Sequence, residues 1–258
     1  MTFQALGLND PILRALADAG YEAPTPVQRE AVPAALAGRD LLVSSRTGSG
    51  KTAAFMLPNL HRLALPARAE ARGPRVLVLT PTRELAAQVA DAAQKYGRHL
   101  RHARVVSIVG GVPYPVQNRM LARPYEILVA TPGRLIDQVQ SGRIDFSRLE
   151  TLVLDEADRM LDMGFIEDIE AIVAKLPKAR QTLLFSATLD ARIARLARGM
   201  LNDPHSIAIA TAAVDQAKIE QRLFFADGLM HKNRLLDHLL RDVDLQQAIV
   251  FTATKRDA

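Results

Sequence analysis

The run Ser45-Arg46-Thr47-Gly48-Ser49-Gly50-Lys51-Thr52 decides the fold, because it joins a glycine-rich turn to a lysine and a hydroxyl side chain. A strand-like stretch, 40–44, precedes it, and a helix-like stretch, 53–60, follows it. The glycines let the backbone turn tightly and aim N–H groups at phosphate oxygens. Lys51 then reaches the β- and γ-phosphates, and the Thr52 hydroxyl can bind Mg²⁺. The run predicts a phosphate-binding loop.

A second segment, Val153-Leu154-Asp155-Glu156-Ala157-Asp158, ends an apolar strand-like stretch on carboxylates. This arrangement suits an Asp that holds Mg²⁺ and a Glu that positions an attacking water. Each segment alone has a plainer interpretation. The first, in which Ser45 stands where the general loop pattern has Gly, is then only a Gly/Ser-rich turn. The acids of the second then only cap a helix. Together, and in this order, the two segments predict a nucleoside triphosphatase.

The composition is that of a soluble globular protein, with 258 residues, 48% hydrophobic and 24% charged. The absence of Cys excludes disulfides and thiolate metal sites. The sequence shows no secretory signal and no apolar run of membrane length, so we expect a cytoplasmic protein without a membrane partner. The net charge of +5 only weakly favours a polyanionic partner over a generally solvated surface. With 5% aromatic residues and no Trp, binding through many stacking platforms is disfavoured.

Short apolar runs alternate with amphipathic stretches along most of the chain. The predicted strands are 41–44, 75–79, 105–109, 127–130, 152–154, 182–185 and 206–209. The predicted helices are 52–64, 83–96, 113–121, 134–140, 165–176 and 190–200, after two N-terminal helices that start at Pro11 and Pro26. Buried strands that alternate with helices predict an α/β fold, a doubly wound parallel sheet with its ligand site at the carboxyl ends of the strands.

Composition also predicts the domain organisation. Residues 1–210 form the α/β domain, and the small polar stretch 211–218 is a linker. Residues 219–258 follow a strand–helix–strand pattern at 219–225, 231–240 and 248–251. An incomplete C-terminal β-α-β fragment of this size cannot bury an independent core. We interpret it as the truncated beginning of a second domain.

Further segments follow the predicted strands in a fixed order: Pro81-Thr82-Arg83-Glu84-Leu85-Ala86, Gly110-Gly111, Thr131-Pro132-Gly133-Arg134 and Ser186-Ala187-Thr188. Gly20-Tyr21-Glu22-Ala23-Pro24-Thr25-Pro26-Val27-Gln28 precedes the phosphate loop. This series resembles the DEAD-box ATP-dependent RNA helicases over essentially the whole chain, and residues 158–165 and 251–255 are most similar to the bacterial RhlE-like members. The resemblance implies a RecA-like P-loop NTPase domain plus the start of a second one.

The resemblance also implies roles at a site for ATP or ADP. Gln28 recognises adenine, Phe3 stacks on the base, and Tyr21 packs beside it. The capping-box pattern formed by Thr25 and Gln28 stays open as a second interpretation. The implied ATP-binding residues are Phe3, Tyr21, Gln28, Ser45, Arg46, Thr47, Gly48, Ser49, Gly50, Lys51 and Thr52. Lys51, Asp155 and Glu156 are the implied catalytic residues, and Thr52 and Asp155 hold the Mg²⁺ that accompanies ATP.

RNA is the second implied partner, bound through its backbone with little sequence preference. The implied RNA-binding residues are Thr82, Arg83, Gly111, Thr131, Gly133 and Arg134, and those that couple the nucleotide to RNA are Asp158, Ser186 and Thr188. Arg46 and Ser45 depart from the usual Gln and Ala of the family.

The resemblance therefore implies an ATP-dependent RNA helicase that hydrolyses ATP and unwinds duplexes locally. The family's second domain supplies arginine fingers that this chain lacks, so the chain alone should bind nucleotide but turn over poorly. Two alternatives remain: a non-catalytic, nucleotide-dependent RNA-binding module that acts with a partner, and a DNA translocase of the same superfamily. The unfinished C-terminal segment also predicts self-association.

Overall fold

The computed structural model describes residues 1–67, 72–101, 103–209, 220, 222–242, 245–252 and 254. The chain divides into two compact units, Met1–Thr211 and Ala212–Ala258. The predicted linker, 211–218, lies outside the described residues.

The first unit contains each strand predicted for it, with ends that differ by at most one residue. Its strands are β1 Leu41–Ser44, β2 Val76–Leu79, β3 Val105–Ile108, β4 Ile127–Ala130, β5 Thr151–Leu154, β6 Gln181–Ser186 and β7 His205–Ala208. Its helices are α1 Asp10–Asp18, α2 Pro26–Leu36, α3 Lys51–Leu63, α4 Arg83–Tyr96, α5 Tyr114–Leu121, α6 Pro132–Gln140, α7 Ala157–Asp162, α8 Ile166–Val173 and α9 Ala191–Met200. The short helix α7 was not predicted, because six residues are too few to show a helical period. No helix in the described part of the chain is long and apolar enough to cross a membrane.

The seven strands form one sheet in the order β3-β4-β2-β5-β6-β1-β7, and each neighbouring pair is parallel. The predicted doubly wound parallel sheet is confirmed. Because the strands are parallel, their carboxyl ends lie along one edge of the sheet. The loops that follow β1, β2, β4, β5 and β6 therefore meet at this edge, which is where ligands bind in such folds.

Both faces of the sheet are covered, which explains why its strands are apolar without alternation. In β2, Val76 and Val78 pack into one apolar layer with residues of α1 to α4. Leu77 and Leu79 point to the opposite face and pack with residues of α6 to α9. Alternate side chains of one strand therefore serve two different cores.

The second unit differs from its prediction. Its helix is α10, Leu229–Leu240, which confirms the predicted helix and extends it at the start. The predicted strands at 219–225 and 248–251 are wrong, since the described residues 220, 222–225 and 248–251 form no strand. Residues 219 and 221 lie outside the described residues. A strand needs a neighbour for its backbone hydrogen bonds, and a segment of this length provides no sheet.

Candidate functional site

The phosphate loop lies between β1 and α3, as predicted. Gly48 and Gly50 have φ angles of +77° and +93°, which other residue types rarely adopt. Lys51 is the first residue of α3, and its Nζ donates to the Ser45 carbonyl oxygen at 2.9 Å. Ser49 Oγ donates to Ser45 Oγ at 3.1 Å. The loop is thus held in a turn that exposes the N-terminus of α3, an end that attracts anions.

Gln28 packs directly against this loop. Its Nε2 donates to the Gly50 carbonyl oxygen at 3.1 Å, and its Oε1 accepts from the Thr25 backbone N–H at 3.0 Å. Gly50 has φ +93°, and a Cβ there would come within 2.5 Å of Gln28 Nε2, so a larger residue would be strained and would displace the Gln28 amide. The bond from Thr25 matches the capping interpretation of Gln28. One N–H and one lone pair of the amide remain for a ligand, so the adenine interpretation also stays a prediction.

Asp155 and Glu156 follow β5 at the same edge. Asp155 is 5% exposed, and its Oδ1 is buried without a hydrogen-bond partner. Burial raises the pKa of Asp155 to about 6, against the opposing effect of the Lys51 charge. Glu156 adopts a left-handed conformation with φ +54°, which is strained for a non-glycine residue. Arg159 Nη1 lies 3.5 Å from Glu156 Oε2.

These groups face a cavity of about 480 Å³, a volume that suits a small ligand. Its lining residues are Tyr21, Ala23, Thr25, Gln28, Thr47, Gly48, Gly50, Lys51, Thr52, Ala53, Leu85, Gln88, Tyr96, Asp155 and Glu156. The structure therefore brings together most of the predicted nucleotide residues. The predicted residues Phe3, Ser45, Arg46 and Ser49 are described but do not line this cavity.

Phe3 lies apart from the cavity, in the apolar layer beneath it. It is 4% exposed and contacts the ring of Tyr21 edge-on, with 6.5 Å between the ring centroids. Tyr21, in contrast, is 36% exposed and lines the cavity. The stacking role of Phe3 stays a prediction, because in this structure it is Tyr21, and not Phe3, that lines the cavity.

Helix α4 supplies a wall that the motifs did not predict. Leu85, Gln88 and Tyr96 line the cavity, and Tyr96 Oη lies 3.1 Å from Tyr21 Oη. The pKa of Tyr96 is raised, mainly by burial and to a smaller extent by this hydrogen bond. The spacing of the three α4 residues places them on one helix face. Which segment that face contacts could not be predicted from the sequence.

The predicted coupling residues are connected by hydrogen bonds. Asp158 Oδ2 accepts from the backbone N–H groups of Ala187 and Thr188 at 3.1 and 3.2 Å, and from Thr188 Oγ1 at 3.3 Å. Ser186 Oγ accepts from Thr188 N–H at 3.4 Å, and the Ser186 carbonyl oxygen accepts from Ser45 N–H at 3.1 Å. A continuous path of contacts thus joins the phosphate loop to the segment after β6 and to Asp158.

The predicted RNA-binding residues also lie close together, on the loops after β2, β3 and β4. A Cβ at Gly111 would lie 3.1 Å from Arg83 Nη1, which places these two residues side by side. Thr131 is the residue before α6, and Arg134 Nη1 donates to the Val112 carbonyl oxygen at 2.6 Å. The Arg134 side chain is 13% exposed, so it is mostly covered by the loop that it holds. A direct Arg134 contact with RNA stays a prediction.

The other predicted RNA-binding residues have few contacts beyond their own helices and neighbours. Thr82 Oγ1 accepts from Leu85 N–H at 3.3 Å and so caps α4. Arg83 is 65% exposed and pairs with the neighbouring Glu84. Gly133 lies in the first turn of α6, and a Cβ there would lie 3.8 Å from Asp168 Oδ2. Hydroxyl, guanidinium and backbone N–H groups therefore line one surface, and these are the groups that bind phosphates in nucleic acids.

Comparisons with known proteins identify the family of this chain. The DEAD/DEAH box helicase family model matches residues 25–196, which include the phosphate loop, the carboxylates and the coupling segment. The ATP-dependent RNA helicase DeaD of Klebsiella pneumoniae is 48% identical over 254 residues, 98% of this chain and 39% of the relative. The ATP-dependent RNA helicase SrmB of Escherichia coli K12 is 45% identical over 251 residues, 97% of this chain and 56% of the relative.

The chain spans about two fifths of the DeaD relative's length and just over half of the SrmB relative's. The resemblance to RhlE-like members stays a prediction, since these relatives carry other names. The family match covers more than half of the chain and contains Lys51, Asp155, Glu156 and Asp158 in the geometry described above. This chain belongs to the DEAD/DEAH box helicase family.

Proposed function

We propose that this chain is the ATP-binding part of a cytoplasmic ATP-dependent RNA helicase. The observation that carries the proposal is the cavity at the carboxyl edge of the sheet, where Gln28, Lys51 and Glu156 face one space. The intact enzyme clamps RNA on binding ATP, separates short duplexes locally and releases the strands on hydrolysis. In the proposed domain organisation, residues 1–210 bind ATP, 211–218 link, and 219–258 begin the second domain.

The nucleotide binds along the cavity from Gln28 to the phosphate loop. The remaining donor and acceptor of the Gln28 amide pair with adenine, while Tyr21 packs beside the base. Lys51 is 7% exposed, so its charge acts on the phosphates in a partly dry site, where electrostatic attraction is strong. The backbone N–H groups of residues 48–52 complete the contacts.

Mg²⁺ fits the residues of this site. Asp155 Oδ1 is buried without a partner, and a buried carboxylate oxygen of this kind is stabilised by a cation. Thr52, which lines the same cavity, offers a hydroxyl, and oxygen ligands are those that Mg²⁺ prefers. Thr52 and Asp155 would hold this Mg²⁺, which would neutralise phosphate charge when bound.

Glu156 is the residue that acts on water. It follows Asp155 directly and lines the cavity, so its carboxylate can orient an attacking water and accept its proton. Its backbone at φ +54° is strained for a non-glycine residue. Strain of this kind is commonly retained at functional sites.

The hydrogen-bond path through Ser186 carries the nucleotide state toward RNA. Ser45 N–H binds the Ser186 carbonyl oxygen, and Thr188 binds Asp158. A shift of the phosphate loop on ATP binding therefore moves the segment after β6. RNA lies along the surface formed by Thr82, Arg83, Gly111, Thr131, Gly133 and Arg134, with its phosphates toward the protein.

Isothermal titration of the purified chain with Mg-ADP tests the proposal. Lys51→Ala should abolish binding, because the loop loses its only positive side chain that lines the cavity. Lys178→Ala, an exposed lysine beyond α8, is the matched control and should bind like the wild type. Unchanged affinity in Lys51→Ala would overturn the phosphate-loop assignment.

A further inference from the structure

Tyr114, the first residue of α5, has unusual surroundings for an exposed aromatic residue. It is 45% exposed, yet it is held at two points. The Arg134 guanidinium lies over its ring, 4.2 Å from the centroid. Its hydroxyl donates to Asp137 Oδ2 at 2.7 Å, and this bond raises the pKa of Tyr114, so the ring stays neutral. Arg134 thus lies over one face of a ring that is still 45% exposed.

The support behind this ring is itself rigid. Arg134 Nη1 donates to the Val112 carbonyl oxygen at 2.6 Å. Gln117 is completely buried; its Nε2 donates to the carbonyl oxygens of Val112 and Val109, and its Oε1 accepts from Val109 N–H. Two side chains therefore fix the loop that contains Gly111. A ring mounted on such a support loses little conformational freedom when it binds a ligand.

The position of the ring indicates its ligand. Arg134 links Tyr114 to Val112, the residue after Gly111, and Gly111 lies beside Arg83. Phosphate-binding groups thus flank a neutral aromatic face. Asp137, whose charge would repel a polyanion, is engaged by the Tyr114 hydroxyl and lies 3.9 Å from Arg134 Nε. This combination of cationic groups and an aromatic platform is typical of single-strand recognition.

We propose that Tyr114 is an RNA-contacting residue whose open ring face stacks on one nucleobase of a strand bound along Arg83, Gly111 and Thr131. The inference rests on the proposed function in that the chain must bind RNA. It adds a base contact to a surface otherwise suited to phosphates. Every base has a π-face, so the contact raises affinity without selecting a sequence.

The four tyrosines of the chain give a direct test by NMR of a tyrosine-labelled sample. An oligouridylate should shift the ring signals of Tyr114, whereas ATP should shift those of Tyr21 and Tyr96, which line the nucleotide cavity. Tyr125 is 2% exposed and should respond to neither. If RNA moves the amides of Gly111 and Thr131 but not the Tyr114 ring, the inference is wrong. If RNA moves no signal at all, the proposed function fails instead.

Affinity measurements on variants separate stacking from support of the loop. Tyr114→Ala should weaken oligouridylate binding about fivefold to tenfold, the lower part of the range for one stacked base. Tyr114→Phe keeps the ring and should stay within about twofold. Val116→Ala, a 48% exposed position on the same helix, is the control and should bind normally. An abasic strand of equal length should bind the wild type and Tyr114→Ala equally. If Tyr114→Ala instead weakens binding of the oligouridylate and of the abasic strand by the same factor, Tyr114 acts through the loop, and stacking is refuted.

Discussion

Replacing Asp155 with Asn should stabilise the metal-free protein while removing its response to Mg²⁺. The pKa of Asp155 is raised from 3.8 to about 6, mainly by burial. One pKa unit corresponds to about 1.4 kcal/mol, so ionised Asp155 disfavours the folded state by about 3 kcal/mol at neutral pH. Asn has the same shape without the charge, although its buried amide would lack a partner, which costs about 1–2 kcal/mol. We expect a net gain of about 1–2 kcal/mol.

The pH dependence identifies the cause of this gain. Because the folded pKa lies above the unfolded value, the carboxyl ionises more readily in the unfolded chain. Raising the pH from about 4 to about 6 therefore destabilises the wild type but not Asp155→Asn. Urea unfolding without Mg²⁺ should show the variant more stable at pH 7.5, with most of its advantage lost by pH 4.5. Asp91→Asn, at an exposed position on α4, is the matched control and should match the wild type at both pH values.

The same variant should bind ADP no more tightly in the presence of Mg²⁺ than in its absence, because the Asn amide brings no negative charge to the ion. Titration of both proteins with and without Mg²⁺ measures this difference. Equal or lower stability of Asp155→Asn at pH 7.5, or an advantage that persists at pH 4.5, would refute the argument that the Asp155 charge is buried at a cost.

The remaining predictions concern neighbouring groups. The wild type should bind ADP more tightly than GDP by about 1–3 kcal/mol, and Gln28→Ala should remove the preference; equal affinities in the wild type would leave Gln28 as a capping residue only. Gly50→Ala should lose nucleotide affinity with its circular dichroism unchanged, since the added Cβ would lie 2.5 Å from Gln28 Nε2; retained affinity would show that the loop adjusts freely. In the intact protein, Glu156→Gln should bind ATP but not hydrolyse it, and hydrolysis within a few-fold of the wild type would exclude Glu156 as the base. A chain that ends at Ala210 should stay folded, bind ADP and remain monomeric in light scattering, whereas the whole chain should self-associate; unfolding of the short chain would show that the domain boundary is misplaced.

The sheet and the phosphate site could be predicted because their signals are local. A strand such as β2 is apolar at each position since both of its faces are buried, and this pattern marks it in the sequence. The phosphate loop is specified by glycines at positive φ and by the adjacent lysine. Once the strands are known to be parallel, the shared edge follows, and with it the meeting of Lys51 with Asp155 and Glu156.

The α4 wall could not be predicted, because it depends on how distant segments pack. Tyr21 and Tyr96 are 75 residues apart, and their hydroxyl contact exists only because the turn after α1 lies beside the end of α4. Phe3 is the converse case. The resemblance placed it at the base, whereas the fold buries it in the apolar layer behind Tyr21. In both cases the side chain has the expected chemistry, and tertiary packing decides whether it faces the cavity.

In the second unit, the dependence on tertiary packing affects the prediction of whole helices and strands. A helix satisfies its backbone hydrogen bonds within its own segment, so the pattern at 231–240 was sufficient to predict α10 although none of its residues is buried. A strand satisfies them only through a neighbour, so the equally apolar residues 222–225 and 248–251 remain irregular and exposed, with Phe225 84% and Phe251 90% accessible. An apolar run therefore predicts the face that a strand would bury, whereas the strand itself requires a sheet to pair with. The self-association predicted for the whole chain follows from the same reasoning, because a second copy is the simplest source of cover for these side chains.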